Sequence, residues 1–280
     1  MNPIAQRRPN RQLLRWTCAV ACTLLMLAPL VAMAVASVSP HRVMVREKLA
    51  LSPTVWSLEN YRRVLRDSTF VGSVANSSKV ALTVTLLAVP LAFAGGYALA
   101  RYRSRGTRLV GLALLASQML PAIMLAIPLY VLLAKLRLID THTALIIAYT
   151  SFALPFTTWM LRGFFEGIPR EIEECALVDG CSRQRMLWRI VLPISLPGLA
   201  AAAILVFLLA WNEYLFAMLL IHSENLKTFP VTLTTFTSRW RVDYAALAAA
   251  SVIVSVPVAT VFLLLQRYLV SGLTAGAVKG

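Results

Sequence analysis

The chain of 280 residues is 59% hydrophobic and only 14% charged, with a mean hydropathy of +0.72. A soluble domain carries about a quarter charged residues, so a water-facing fold is excluded. Twenty-seven Lys and Arg against twelve Asp and Glu give a net charge of +15, yet these bases fall mostly between apolar stretches, where insertion bias and anionic headgroups account for them and nucleic-acid binding does not follow.

Six spans at about 20 residues each use roughly 120 residues, which leaves loops and tails but no room for a second globular domain. Backbone groups in lipid must bond within their own segment, so the expected fold is all-α, a polytopic bundle of six transmembrane helices. A basic tail over 1–15, with Arg7, Arg8, Arg11 and Arg15, precedes a first span over 16–38. A basic start, an apolar run and Ala34-Val35-Ala36 also describe a cleavable signal peptide. The run is longer than the usual signal core and more spans follow, so it is read as a span.

The second span is predicted over 70–100, with Pro90 and Gly95-Gly96 inside it, and the third over 109–134, with Pro121 and Pro128. The fourth, over 143–161, contains Pro155; the fifth, over 196–221, contains Asn212 and Glu213; the sixth, over 244–265, contains Pro257. The loop between the second and third spans holds Arg101, Arg103, Arg105 and Arg108 with no acid, and so reads as cytoplasmic. Both termini and the loop over 162–195 then face the same side. The first external loop, with Arg42, Arg46, Lys48, Arg62, Arg63 and Arg66, obeys the rule less well.

The loop over 162–195 carries the most information. Pro169 suits the first turn of a helix, and Glu171, Glu173 and Glu174 complement its N-terminal dipole. Ile172, Cys175, Ala176 and Val178 form an apolar face at helical spacing, and Gly180 fits the left-handed position that ends a helix. A second short helix is expected from Ser182, with Met186, Leu187, Ile190 and Val191 on one side, before Pro193 and Pro197 stop it and open the next span. Such a helix–turn–helix suits either a docking knob for another protein or an amphipathic pair lying on headgroups. Cys18, Cys22, Cys175 and Cys181 form no C-x-x-C pair, and His41, His142 and His222 are scattered, so no zinc site or disulfide framework is expected.

This stretch resembles the cytoplasmic signature loop of ABC-importer permease subunits, E-A-A-x-x-x-G followed downstream by L-P. Glu174, Ala176, Asp179, Gly180, Ile190, Leu192 and Pro193 match it. Cys175 and Cys181 stand where Ala is usual, and Leu187 stands where an aromatic residue is common, with Trp188 beside it. Ala100-Arg101-Tyr102, Gln118-Met119-Leu120-Pro121, Ile127-Pro128-Leu129-Tyr130, Leu154-Pro155-Phe156 and Ala210-Trp211-Asn212-Glu213 follow in order and are similar to motifs of carbohydrate-importer permeases, the group serving maltose, trehalose and glycerol-3-phosphate. The end, from Gln266 through Gly272 and Gly276 to Lys279 and Gly280, resembles the tail of the maltose-type G subunit.

The resemblance implies the permease subunit of an ATP-driven, binding-protein-dependent sugar importer in the bacterial cytoplasmic (inner) membrane. The 162–195 loop becomes a coupling hairpin seated in an ATPase cleft, with Glu173, Glu174, Ala176, Asp179, Gly180, Leu187, Trp188 and Pro193 as its coupling residues. The tail over 266–280 is implied to contact the ATPase through Gln266, Gly272, Gly276, Lys279 and Gly280. Tyr130, Trp211, Asn212, Glu213 and Tyr214 are candidates for the solute path, although Asn212 and Glu213 equally suit a role in positioning helices. The chain has no G-x-x-x-x-G-K-[ST], so it is not expected to be an enzyme and holds no cofactor. ATP and Mg are implied on two partner ATPase subunits, beside a second homologous permease, an extracytoplasmic solute-binding protein and a sugar. An importer for a non-sugar solute and a stand-alone secondary transporter are the alternatives; the latter predicts internal repeats and intramembrane charges, of which only Glu213 is a candidate.

Overall fold

The computed structural model describes residues 8–40, 56–238 and 241–277, and the chain divides into two compact units. The first unit takes residues 1–68 and 233–255. It contains α1 (Arg8–Val38) and the short helix α2 (Glu59–Arg66). The apolar part of α1 is Leu14–Val38, close to the predicted first span, but the helix begins further back at Arg8. Its last carbonyls are closed by Asn60, whose Nδ2 donates to the Ser37 and Ser39 carbonyls at 3.0 and 2.8 Å, as helix ends require. A two-residue antiparallel pair, β1 (Thr237–Ser238) and β2 (Arg241–Val242), leads to the last helix, α11 (Tyr244–Ala277). Asp243 caps α11 by accepting from the Ala246 N–H at 3.0 Å, and its other oxygen pairs with Arg63 of α2.

The second unit takes residues 69–232 and 256–280 and carries α3 (Ser68–Arg101), α4 (Arg105–Gln118), α5 (Ala122–Lys135), α6 (His142–Glu166), α7 (Glu171–Val178), α8 (Arg183–Trp211), α9 (Leu215–Leu220) and, at its boundary, α10 (Phe229–Leu233). α3 runs unbroken through Pro90. It passes α6 closely: a Cβ on Gly96 would lie 3.0 Å from the Arg162 nitrogen and the Thr158 carbonyl oxygen. Only a residue without a side chain lets the two backbones approach so far.

Three predicted spans differ from what is observed. The third is not one helix: α4 and α5 meet at a bend of 104° at Met119–Pro121. Pro121 has no N–H for the helix ladder and displaces the residue before it from helical geometry. The fifth starts earlier than expected, because Pro193 and Pro197 do not interrupt α8; a π turn over Leu187–Val191 carries the chain into the span. The wider turn leaves room where a proline ring would crowd an α-helical carbonyl. The fifth also ends earlier, at Trp211, with Asn212 as its C-cap. α11 continues past the predicted end of the sixth span to Ala277, so helix rather than an irregular tail follows Leu265 among the described residues. Five helices are long and apolar enough to cross a membrane, or six if the bent pair counts as one span.

At the opposite end of the unit from the hairpin loop, Asp140 adopts a left-handed φ of 61° between α5 and α6. Its carboxylate accepts from the Ser223 hydroxyl and, at 2.9 Å each, from the Ser223 and His222 backbone N–H groups. These donors hold its pKa down from 3.8 to about 2, the hydroxyl contributing most.

Candidate functional site

α7 and the start of α8 form the predicted helix–turn–helix, with Gly180 between them at φ +79°. A Cβ on Gly180 would meet nothing within 4 Å. The need for glycine there comes from the left-handed backbone, as its place at the helix end implied, and not from crowding of a side chain.

The face that α7 buries also departs from the apolar pattern. Ile172, Cys175 and Val178 are exposed, Val178 at 87%, while Ala176 and the charged Glu173 point inward, Glu173 at 8% exposure. The Glu173 carboxylate accepts from the Arg101 Nε at 2.7 Å and from the Tyr97 hydroxyl at 2.7 Å. Arg101 also donates to the Ile168 carbonyl at 3.0 Å, and Arg170 donates back to the Ala100 carbonyl at 3.2 Å. The hairpin is therefore fastened to the last turn of α3 by charge-assisted bonds, which are the strong kind. Glu173 is an inner anchor, and its expected place among the outward coupling contacts is corrected accordingly.

Apolar packing completes the attachment. Ala176, Met186 and Val191 join Phe93, Leu161 and Phe165 in one buried cluster, with Leu187 and Ile190 partly buried against it. Phe165 meets Phe93 and Tyr97 edge-on at 5.4 and 5.6 Å, an arrangement that aromatic quadrupoles favour. The predicted inner side of the second helix is thus observed. What remains outside is a mixed surface: Glu174, Asp179 and Pro193 are exposed, and so are Trp188, at 62%, and Val178. A large aromatic and an aliphatic side chain open to solvent on an otherwise polar hairpin mark a surface for contact with a protein or with a membrane.

The path residues separate. Trp211 is 1% exposed, with Phe207 stacked on it at 5.5 Å and Phe229 tilted against it at 4.8 Å; it is a core residue and lines no path. Glu213 lies in the break between α8 and α9, where its carboxylate accepts from the Phe216 and Ala217 N–H groups at 3.0 and 3.2 Å. That is a helix-capping task, so of its two expected roles it performs the positioning one. Asn212 and Tyr214 are exposed and Tyr130 is half-buried. Sequence reasoning missed the cleft of about 540 Å³ at the elbow of α4 and α5, lined by Gln118, Ser151, Phe152, Phe156 and Leu209. Pro121 was the available signal, since a broken helix inside a membrane leaves backbone and polar side chains that need a cavity or a partner. It missed Arg101 and Tyr97 as hairpin partners as well. Gln266 is exposed, Gly272 and Gly276 lie within α11, and Lys279 and Gly280 fall outside the described residues.

Helices long and apolar enough to cross a membrane, with a hairpin fastened to the end of one of them, define an integral membrane protein. Comparison with known proteins gives the family. Residues 88–275 match the model of the binding-protein-dependent transport system inner membrane component. The chain is 38% identical over 227 residues to the trehalose/maltose transport system permease protein MalG of Thermococcus litoralis, covering 80% of this chain and 82% of that one. It is 37% identical over 233 residues to the trehalose transport system permease protein SugB of Mycobacterium tuberculosis, covering 82% and 85%. Among solved structures, a bacterial ABC transporter involved in the import of alginate superposes with a TM-score of 0.78 at 24% identity, over 95% of this chain and 99% of that one. The chain belongs to the family of inner-membrane components of binding-protein-dependent transport systems.

Proposed function

We propose that this permease carries a sugar, a di- or oligosaccharide or a glycerol phosphate derivative, across the bacterial cytoplasmic membrane, as half of a path completed by a second, homologous permease. Two separate ATPase subunits bind ATP and Mg and supply the energy; a solute-binding protein delivers the cargo from outside. The observation that carries the reading is the hairpin of α7 and α8, anchored inward through Glu173 and presenting Trp188, Val178, Glu174 and Asp179 outward. A knob fixed on both sides of its turn transmits displacement, whereas a loose loop absorbs it. The sugar cargo is supported by the trehalose and maltose permeases that the chain is similar to.

In this reading the hairpin tip seats in the ATPase, with Glu174 pairing to a basic group there and Trp188 filling an apolar hollow, while Leu187, expected beside it, packs against the permease's own core. Both termini lie on the cytoplasmic side, which the arginines at the α3–α4 turn support, and the end of α11 reaches the ATPase pair. Solute passes the elbow cleft, where Gln118 and Ser151 offer hydrogen bonds to hydroxyls and Phe156 a flat apolar face, and continues past Tyr130, Asn212 and Tyr214.

Isolation of the tagged chain from its native membrane in mild detergent, followed by mass spectrometry, tests the assembly. Co-recovery of an ATPase, a second permease and a solute-binding protein is expected, and ligand screening of the binding protein then identifies the sugar. Recovery of the chain alone refutes the coupling role. A co-isolated binding protein that takes no carbohydrate refutes the cargo.

A further inference from the structure

The turn between α3 and α4 and the adjoining face of α6 enclose a cleft of about 520 Å³ that the transport reading does not use. Four arginines line it, Arg103, Arg105, Arg108 and Arg162, and no acid does. Among the described residues, Arg103, Arg105 and Arg108 have no carboxylate partner; Arg162 pairs with Glu166 at 2.9 Å from outside the lining. Arg103, Arg105 and Arg108 are exposed and their mutual repulsion is screened by water; an anion set among them turns that repulsion into attraction.

Trp159 forms part of the same wall. The Arg162 guanidinium stacks over its ring at 4.4 Å, and its indole Nε1 is buried without a hydrogen-bond partner. The first turn of α4 opens at the cleft too. Ser104 and Thr107 form a capping box that closes its own N–H groups, while those of the next positions have no partner within the helix. Below this polar rim the lining turns apolar, through Leu99, Leu112 and Leu115, of which Leu112 and Leu115 are exposed.

We propose that this cleft binds the phosphate headgroup of an anionic phospholipid, with Arg105 and Arg108 around the phosphate and an acyl chain along Leu112 and Leu115. The chemistry that excludes a soluble anion as the resident is the apolar strip, which continues from the arginines down the membrane helix. A free phosphate has nothing to place there; a lipid fills both halves. Basic pockets between membrane helices on the positively charged side take such headgroups. The inference needs only that the chain spans a membrane and does not rest on the cargo or on the ATPase partner.

The test uses native mass spectrometry of the full-length protein in detergent, titrated with phosphatidylglycerol or with phosphatidylcholine of the same chains. The wild type is expected to retain one phosphatidylglycerol in preference to phosphatidylcholine. Arg105→Gln with Arg108→Gln is expected to weaken that lipid by about 30-fold, from about 1 kcal/mol per arginine at 1.4 kcal/mol per decade. The control, Arg62→Gln with Arg66→Gln, removes the same charge from α2 and is expected to change nothing. Equal loss in both double variants, or equal retention of the two lipids by the wild type, overturns the site. Displacement of phosphatidylglycerol by millimolar inorganic phosphate overturns the lipid assignment in favour of a soluble anion. Leu112→Ser with Leu115→Ser removes the apolar strip and gives a second reading if the arginine variant fails to fold: a several-fold weaker phosphatidylglycerol complex is expected, and an unchanged one overturns the acyl-chain contact.

Discussion

Replacing Glu173 by Gln removes the negative partner of a guanidinium that has almost no access to water: the Arg101 and Glu173 side chains are 8% and 10% exposed. Taking one member from a buried ion pair costs about 3–5 kcal/mol, because the remaining charge stays desolvated. The lower end applies here, since Arg101 keeps its bond to the Ile168 carbonyl and the amide retains an oxygen for Tyr97. About 3 kcal/mol raises the equilibrium for opening of the hairpin roughly 150-fold at 1.4 kcal/mol per decade. The assay is hydrogen–deuterium exchange of the full chain, read on peptides across 171–191, in E173Q, in Arg101→Gln and in the double variant. Exchange in that window is expected to accelerate in each single variant, with the double variant well short of the sum, since both changes break the same bond. Unchanged exchange in 171–191, or strict additivity, would refute the claim that this pair fastens the hairpin to α3.

Gly180→Val puts a β-branched side chain at φ +79° and costs roughly 1–2 kcal/mol in backbone strain; the protein is expected to insert normally while ATP hydrolysis in the reconstituted complex no longer drives uptake, and normal uptake counts against the lever. Gly96→Leu drives side-chain atoms into the α6 backbone already 3.0 Å from an added Cβ and is expected to lower the melting midpoint in detergent by an amount corresponding to about 1–3 kcal/mol. Asp140 has a folded pKa of about 2 against an ordinary 3.8, so its contribution is complete above about pH 4 and is lost as the pH falls toward 2; melting curves between pH 2 and 5 are expected to show that loss in the wild type and a flatter profile in Asp140→Asn. Trp211→Ala empties a buried site between Phe207 and Phe229 and is expected to cost about 3–5 kcal/mol in denaturant titrations that follow the remaining tryptophans.

The parts of the fold legible in the sequence are those governed by local chemistry. Gly180 announced its left-handed φ because it follows an acidic-headed helix and precedes a capping Ser182, and Met186, Ile190 and Val191 announced their inward side by spacing. The prolines show where that reading ends. Pro90, Pro128, Pro155, Pro197 and Pro257 all sit inside continuous helices, while Pro121 marks a bend of 104°. The residue is the same each time, so neighbours in space decide whether the helix is held together. Glu173 reversed the expected face of α7 for a related reason: its partners, Arg101 and Tyr97, lie more than seventy positions away, and periodicity cannot see a cation arriving from another helix. Arg101 was visible only as part of a basic loop. In the same way Trp211 carried the composition of a sugar platform but the neighbours of a core residue.

The unbroken passage from the hairpin into the membrane has a mechanical consequence. Arg183 to Trp211 is one helix of 29 residues, about 43 Å at 1.5 Å per residue, and its π turn and two prolines alter its local winding without hinging it. A strut of this kind, gripped near its middle by neighbouring helices, pivots. In the coupling proposed above, a sideways push delivered at Trp188 swings the far end the opposite way, and that end is where Asn212 and Glu213 interrupt the chain before α9. In that reading the motion arrives at the break that Glu213 holds by capping α9, at the opposite end of the strut from where the push began.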